Sequence, residues 1–389
     1  MKFMMYIKEN TTLSEIYAFA LFVILLLNGC THKKDWTSEI HNVKDYINSF
    51  PLQQELKSTI FIDDTLNLKN PMDIKIIANF MILKDMHPSG YILSVFDMQT
   101  KKYFGDFLKK GKGPEEYIGC SINNYDKDTL IVFDSYRKEA ALFSTKSIDN
   151  LLNTPDRKII FSLSENDGDI INIYHLNNSI IASGAFVDGR FCVFSENGKK
   201  KYGFGTYPSV NYKEPLDLYQ LGGLFGSAIS FCSNRNKLAV IGTHWFDIYK
   251  HKEDNFSDQT SFSLEWNSPA IALADYRDDK PFVAKNMHKS YRSAGTSVCV
   301  GDYIIFTFSG INIFDMAKSG VTDTYRYIMV TDWEGTPCMC YSLDKNIGSS
   351  LAKDPNEKFL YAIHTDMKTG YKQILKFDIN EILGFVEQN

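Results

Sequence analysis

Six times along the chain one pattern returns: a polar turn, a short run rich in Ile, Val, Phe or Tyr, a second turn and another such run. The units fall at 80–107, 126–143, 177–204, 234–249, 301–341 and 356–378. Almost nothing between them keeps apolar residues at helical spacing for long enough to hold a helix, so the chain from about Lys57 onward reads as all-β. Six units over about 330 residues give ~55 residues each, close to the length of a four-stranded propeller blade. A single strand pair cannot shield both of its faces. Sheets stacked around an axis shield one another and leave no long open edge, which makes a closed six-bladed β-propeller the expected architecture. A seven-bladed ring and two stacked β-sandwiches are the alternatives, and no Pro/Gly/Ser-rich linker divides the chain to favour the latter. Ring closure needs an early strand to join the last blade, and 57–63 (Lys-Ser-Thr-Ile-Phe-Ile-Asp) suits that task.

Ahead of the repeats, residues 16–27 form an unbroken apolar run of twelve. That is short of the ~20 residues of a membrane span but suited to the core of a secretory signal. The run ends in Leu27-Asn28-Gly29-Cys30, which resembles the lipobox of bacterial lipoproteins. The resemblance implies cleavage after Gly29 and acylation of Cys30, giving a signal peptide at 1–29, a polar tether at 30–56 with some helix near 40–50, and a propeller at 57–389. It also implies a lipid-anchored protein of the bacterial cell envelope, with the outer membrane the better fit. Six further cysteines follow, Cys120, Cys192, Cys232, Cys299, Cys338 and Cys340. Each sits in an apolar run, where cysteine behaves as a small hydrophobe, so buried free thiols are expected.

The stretch Tyr103-Phe104-Gly105, then Gly111-Lys112-Gly113-Pro114-Glu115-Glu116-Tyr117, then Leu130-Ile131-Val132-Phe133-Asp134-Ser135 and Ala141-Leu142-Phe143 resembles the NHL-type propeller consensus. In that consensus a glycine-rich connection precedes a strand ending in Asp and a closing strand. Together with the lipobox, the chain is similar to the TolB-like six-bladed β-propeller lipoproteins. The resemblance is specific over 103–143 and rests on strand rhythm elsewhere. It departs at Glu115, where the consensus favours another glycine.

Signatures of chemistry are few. A net charge of −5 supplies no basic footprint for nucleic acid. The Gly111 segment lacks the Gly-Lys-Ser/Thr ending of a phosphate loop, and Glu165-Asn166-Asp167-Gly168-Asp169 lacks the spacing of a calcium loop. His244 and His251 are an odd number of residues apart and would face opposite ways on a strand around Asp247. Cys338 and Cys340 share a strand face, but no second ligand pair accompanies them. No nucleophile elbow and no His-Glu-x-x-His appears, so no catalytic residue, metal or cofactor is assigned. Inner strands are expected to begin near Ile74, Ser121, Asn172, Ser227, Ser297 and Ser349, a set of hydroxyls and one amide without a carboxylate cage.

Three long connections stand out, 105–119, 207–224 and 267–295, all of the kind that emerge on one face of a propeller. Tyr212, Tyr219, Tyr276, Arg277, Tyr291 and Arg292 lie on the latter two or at their ends. Tyrosine and arginine combine contact area with hydrogen bonding, which suits a glycan, a peptide or an envelope protein. The leading expectation is therefore a ligand- or protein-binding module held at a membrane by its lipid. The competing one is a propeller hydrolase or lyase with a divalent cation in the axial channel. Replacing Cys30 by serine is expected to abolish metabolic labelling with an alkyne fatty acid and to leave the precursor uncleaved. Labelling that survives Cys30→Ser would contradict the lipobox reading.

Overall fold

The computed structural model describes residues 40–389 apart from 64–66, 86–89, 154, 209–214, 227–228, 235, 243–244, 253–254, 264–270, 278–279, 287, 320–323, 367, 385 and 387–389. The signal segment, Cys30, Tyr212 and His244 lie outside the described residues, as do the side chains of Tyr276 and Arg277. The chain enters through helix α1 (Val43–Asn48) and strands β1 (Leu52–Leu56) and β2 (Thr59–Ile62). The first blade is β3 (Pro71–Ile77), β4 (Phe80–Asp85), β5 (Tyr91–Asp97) and β6 (Tyr103–Lys109). The second is β7 (Cys120–Asn124), β8 (Thr129–Asp134), β9 (Glu139–Ser144) and, after helix α2 (Ile148–Leu152), β10 (Arg157–Ile160). The third is β11 (Ile170–Leu176), β12 (Ser179–Phe186), β13 (Gly189–Ser195) and β14 (Lys200–Phe204). Helix α3 (Leu218–Phe225) leads to the fourth, β15 (Ser230–Asn234), β16 (Lys237–Ile241), β17 (Trp245–Lys252) and β18 (Asn255–Ser263).

A separate hairpin, β19 (Ile271–Arg277) with β20 (Lys280–Lys285), precedes the fifth blade. That blade is β21 (Tyr291–Val300), β22 (Tyr303–Asn312), helix α4 (Ile313–Ser319), β23 (Tyr325–Asp332) and β24 (Pro337–Ile347). The sixth is β25 (Leu351–Lys353), β26 (Phe359–Thr365) and β27 (Lys372–Asp378), followed by helix α5 (Ile379–Gly384). Its fourth strand is β2, antiparallel to β27 with Thr59 opposite Lys376 and Ile62 opposite Ile374. The fold is the six-bladed propeller of four-stranded blades that the sixfold rhythm predicts, closed by the early strand singled out for that purpose.

Between blades the faces meet through apolar side chains. Ile77 and Phe107 of the first blade pack with Ile122 and Phe143 of the second, and Phe133 with Ile173 and Phe194 of the third. Phe191 packs with Leu238 and Tyr249 across the next seam, Ile305 with Leu360 and Leu375 between the last two blades, and Ile374 with Ile74 and Met81 where the ring closes. Each such buried side chain contributes ~1.5–3 kcal/mol, so every seam carries a substantial share of the stability. The Asp at the end of the consensus strand has a clear task. Asp134, wholly buried, accepts from the backbone N–H groups of Tyr136 (3.0 Å) and Ile118 (3.1 Å), binding its own turn to the incoming connection.

Two expectations need correction. Part of the segment read as a tether, 40–56, is structured on the ring. Asn42 caps α1, Tyr46 buries its ring against Phe308 (4.9 Å between centroids), and β1 adds in parallel to β24 as a fifth strand of the fifth blade. Three of the five β1 residues are exposed, as befits an edge strand, which is why the segment looks too polar to belong to a sheet. The second correction concerns the thiols. Cys232 and Cys299 are bonded, Cα to Cα 5.8 Å, joining the inner strands of the fourth and fifth blades, while Cys120, Cys192, Cys338 and Cys340 are free.

The third and fourth blades are also locked by charge. Arg190, wholly buried, donates to Asp247 at 2.8 Å and lies over the Trp245 ring at 3.9 Å. Asp247 thus serves a seam and not a metal with His251, whose ring rests on Phe256. Removing one member of a buried pair strands the other charge, so Asp247→Ala is expected to cost about 3–5 kcal/mol in urea unfolding. Replacing both residues by apolar ones should restore much of that loss. An Asp247→Ala protein with a wild-type midpoint would show that the pair bears no load.

Candidate functional site

The inner strands β3, β7, β11, β15 and β21 all begin on the face where one blade's outer strand passes to the next blade's inner strand. This is called the mouth face below. On the far face the hairpins joining the first two strands of a blade are tight. Ala78, Asn177 and Gly301 open two-residue turns at φ of 49°, 53° and 53°. On the mouth side the six inner strands do not meet, and their first halves enclose a cavity of about 400 Å³ on the axis.

Its wall mixes polar side chains at alternate strand positions with the apolar Met72, Ile229, Phe231, Ile313 and Met316. Asp73 and Lys75 come from the first blade, Ser121 and Asn123 from the second, Asn172 from the third and Ser230 from the fourth. Between them Ile74, Ile76 and Ile122 turn into the seams. The fifth blade supplies 294–297, and the chain entering the sixth supplies Ser349 and Ser350. Gly295 is required there: a Cβ on it would lie 2.4 Å from the Thr307 hydroxyl and 2.8 Å from the Ser349 carbonyl oxygen. That carbonyl accepts from the Thr296 N–H at 2.9 Å, bonding the two blades at the rim of the cavity. On the fourth blade Ser230 accepts from the Ser297 N–H at 2.8 Å, close to the disulfide.

The charges in the wall are unequal. Asp73 is the one carboxylate, and it is already engaged: Oδ1 accepts from Ser350 Oγ at 2.5 Å and from the Ile74 N–H at 2.8 Å, with Lys75 Nζ at 3.6 Å. Lys84, at the end of β4, makes no ion pair among the described residues. Arg292 donates from Nε to the Tyr325 hydroxyl at 3.0 Å, lies over that ring at 5.6 Å, and has its Nη1 3.6 Å from Met316 Sδ. It too has no carboxylate partner among the described residues. Burial pushes the neighbouring Cys120 thiol up to about 12, with Lys84 drawing it down, so the thiol is protonated at neutral pH and is no nucleophile.

This donor set does not fit a divalent cation. Among the described residues no three His, Cys, Asp or Glu side chains group at ligand distance, and three cations in the wall oppose one acid. The Gly111 loop is no anion cradle either. It wraps Glu116, which accepts from the Gly113 N–H at 2.9 Å and pairs with Lys109 at 3.0 Å.

Of the residues expected at the mouth, Arg292 lines the cavity and Tyr291 stands half-buried beside it at the start of β21. Tyr219 is 63% exposed on α3, which begins with an Asp217–Gln220 capping box. Tyr276 and Arg277 close the first strand of the extra hairpin, opposite Pro281 and Lys280, and the α3 backbone runs beside β20. The two longest connections therefore meet on the mouth face. Tyr207 is different: its hydroxyl donates to the Gly184 carbonyl at 3.0 Å, fastening its own connection to the third blade.

Further aromatic side chains crowd the same face. Tyr91 and Tyr136 are exposed where second strands turn into third strands, and Tyr371 and Phe314 hold the equivalent places in the last two blades. Asp73, Lys75 and Lys84 were not found from sequence. The available signal was two polar residues two apart, Asp73 and Lys75, in the otherwise apolar run 72–77.

Because Lys84 is held by no partner among the described residues, Lys84→Met is expected to leave the unfolding free energy in urea within about 0.5 kcal/mol of wild type. A loss above about 2 kcal/mol would show that its ammonium braces the wall.

Comparison with known proteins agrees on the architecture. A family model described as TolB-like 6-blade propeller-like matches residues 49–351. A solved member of the DUF4221 family from Bacteroides vulgatus superposes with a TM-score of 0.50 at 10% identity, over 83% of this chain and 96% of that one. A Bacteroides fragilis protein described as exported gives 0.49 at 13% identity, over 84% and 98%. At such identity the likeness is one of fold. No curated protein matches the sequence.

Proposed function

The chain belongs to the TolB-like six-blade propeller family, and from that premise we propose that it is a bacterial envelope lipoprotein whose ring is a binding module working through its mouth face. Cys30, acylated after removal of residues 1–29, would hold it to a membrane, the outer membrane by preference. The ligand would be a glycan, a peptide or another envelope protein. The reading is carried by one observation: the polar axial cavity and the exposed tyrosines share a face. Scattered exposed aromatics are ordinary, whereas a set gathered around a cavity is the composition of a recognition surface.

Arg292, Tyr291, Tyr219 and the hairpin carrying Tyr276 and Arg277 would border the bound partner, with Tyr212 on the same connection as Tyr219. Hydrolysis or lysis at a bound cation draws no support from the wall, whose charge is of the wrong sign. The test is photo-crosslinking in intact cells from a benzophenone amino acid at Tyr136 or Tyr219 on the mouth, with Phe104, exposed on the first blade's outer strand away from the mouth, as reference. Adducts to a defined envelope component are expected from the two mouth positions alone. Equal capture from Phe104, or none from either tyrosine, would overturn the proposal.

A further inference from the structure

We infer that the axial cavity receives a small polyhydroxylated anion, one bearing a carboxylate or phosphate on a sugar-like body. This rests on the binding reading above and gives it a ligand class. The chain as a whole is acidic, with a net charge of −5, so a positive cavity is not a by-product of basic composition. Yet the wall has Lys75, Lys84 and Arg292 against Asp73 alone. Lys75 stands 3.6 Å from Asp73, whose carboxylate also serves Ser350 and the Ile74 N–H. Lys84 and Arg292 remain without an acid among the described residues. A partly enclosed site with low-dielectric walls concentrates the field of two such charges and draws in counter-ions of opposite sign. Arg292 is also preset: Tyr325 and Met316 hold two of its nitrogens, and the third, Nη2, makes no bond among the described residues. A fixed guanidinium with a free edge is suited to a carboxylate or phosphate oxygen.

The wall formed by the second and third blades has a different character. Ser121 Oγ is buried with no hydrogen-bond partner. Asn172 spends its carbonyl oxygen on the Ile173 N–H, leaving its amide donors, and Asn123 spends an amide hydrogen on the Ile173 carbonyl, leaving its oxygen as acceptor. The amide donors of Asn172 and the amide oxygen of Asn123, on one wall, match ligand hydroxyl groups, each of which both donates and accepts. The volume of about 400 Å³ falls within the range of small-ligand pockets, ~300–1,000 Å³.

The test uses the full lipoprotein in detergent and calorimetric titration with four probes: glucose, glucuronate, glucose 6-phosphate and inorganic phosphate. At least one of the two sugar anions is expected to bind at least about tenfold tighter than glucose and than inorganic phosphate, and to weaken by about tenfold in Lys84→Met. Arg292→Lys, which keeps the charge but loses the planar fork, should weaken it less than Arg292→Met does. Whichever of the two anions binds tighter identifies the anionic group. Glucose binding as tightly as its anions, or inorganic phosphate as tightly as either, overturns the inference, as does binding of none of the four. Crosslinking from Tyr136 and Tyr219 is scored separately. If it persists when the anions fail, the inference falls and the binding reading stands.

Discussion

No blade of this ring can bury its own faces; each depends on two neighbours, and the circle must therefore close. The seams show how complete the dependence is. Ile374 of the last blade reaches Ile74 and Met81 of the first as directly as Phe107 reaches Phe143 within the run of the chain. Closure is made by the segment from β1 to β2: β1 pairs with the outer strand of the fifth blade, and β2 is itself the outer strand of the sixth, paired with β27. At the bend between them Ser58 donates to Asp344, from N–H at 3.1 Å and from Oγ at 2.9 Å. A few early residues thus hold together the two blades made last, which sets long-range contacts against a large loop-closure cost in folding.

The seam between the fourth and fifth blades is made differently. There the described contacts include the Cys232–Cys299 bond, the Ser230–Ser297 pair, the Phe246–Phe306 rings at 6.2 Å and a Lys237–Glu334 bridge at 2.6 Å. The extra hairpin enters the chain between these two blades, so the connection across this seam is the longest in the ring. A covalent link offsets that length, since tying residues 67 apart removes on the order of 4 kcal/mol of unfolded-state entropy in the chain-entropy account. Such a bond persists in an oxidising compartment.

What could be read from sequence was whatever repeats. Turn and strand alternate six times, so the number of blades, the closing strand and several cavity residues, Ser121, Asn172 and Ser297 among them, were legible from spacing alone. What is unique to one blade was not. Cys232 and Cys299 lie in apolar runs typical of buried thiols, and only the meeting of two inner strands brings them together. Strand β1 looks like linker because an edge strand needs few apolar residues. Asp73 and Lys75 look like the solvent side of an ordinary strand until six such strands face a common axis. The Arg190–Asp247 pair spans two blades, and neither residue announces the other.

These local exceptions differ in kind. Arg190 breaks the rule against buried charge but is answered by Asp247 and by the Trp245 ring, so the conflict is resolved within the fold. Lys84 and Arg292 break the pairing rule and are not answered within the described residues. In a sequence whose other levels agree, an uncompensated charge persists where something other than stability has kept it. The geometry allows this because the ring separates its tasks. Tight turns close the far face, apolar seams hold the blades, and the inner strands, set around the axis, leave the mouth side with charge that the described residues do not neutralise.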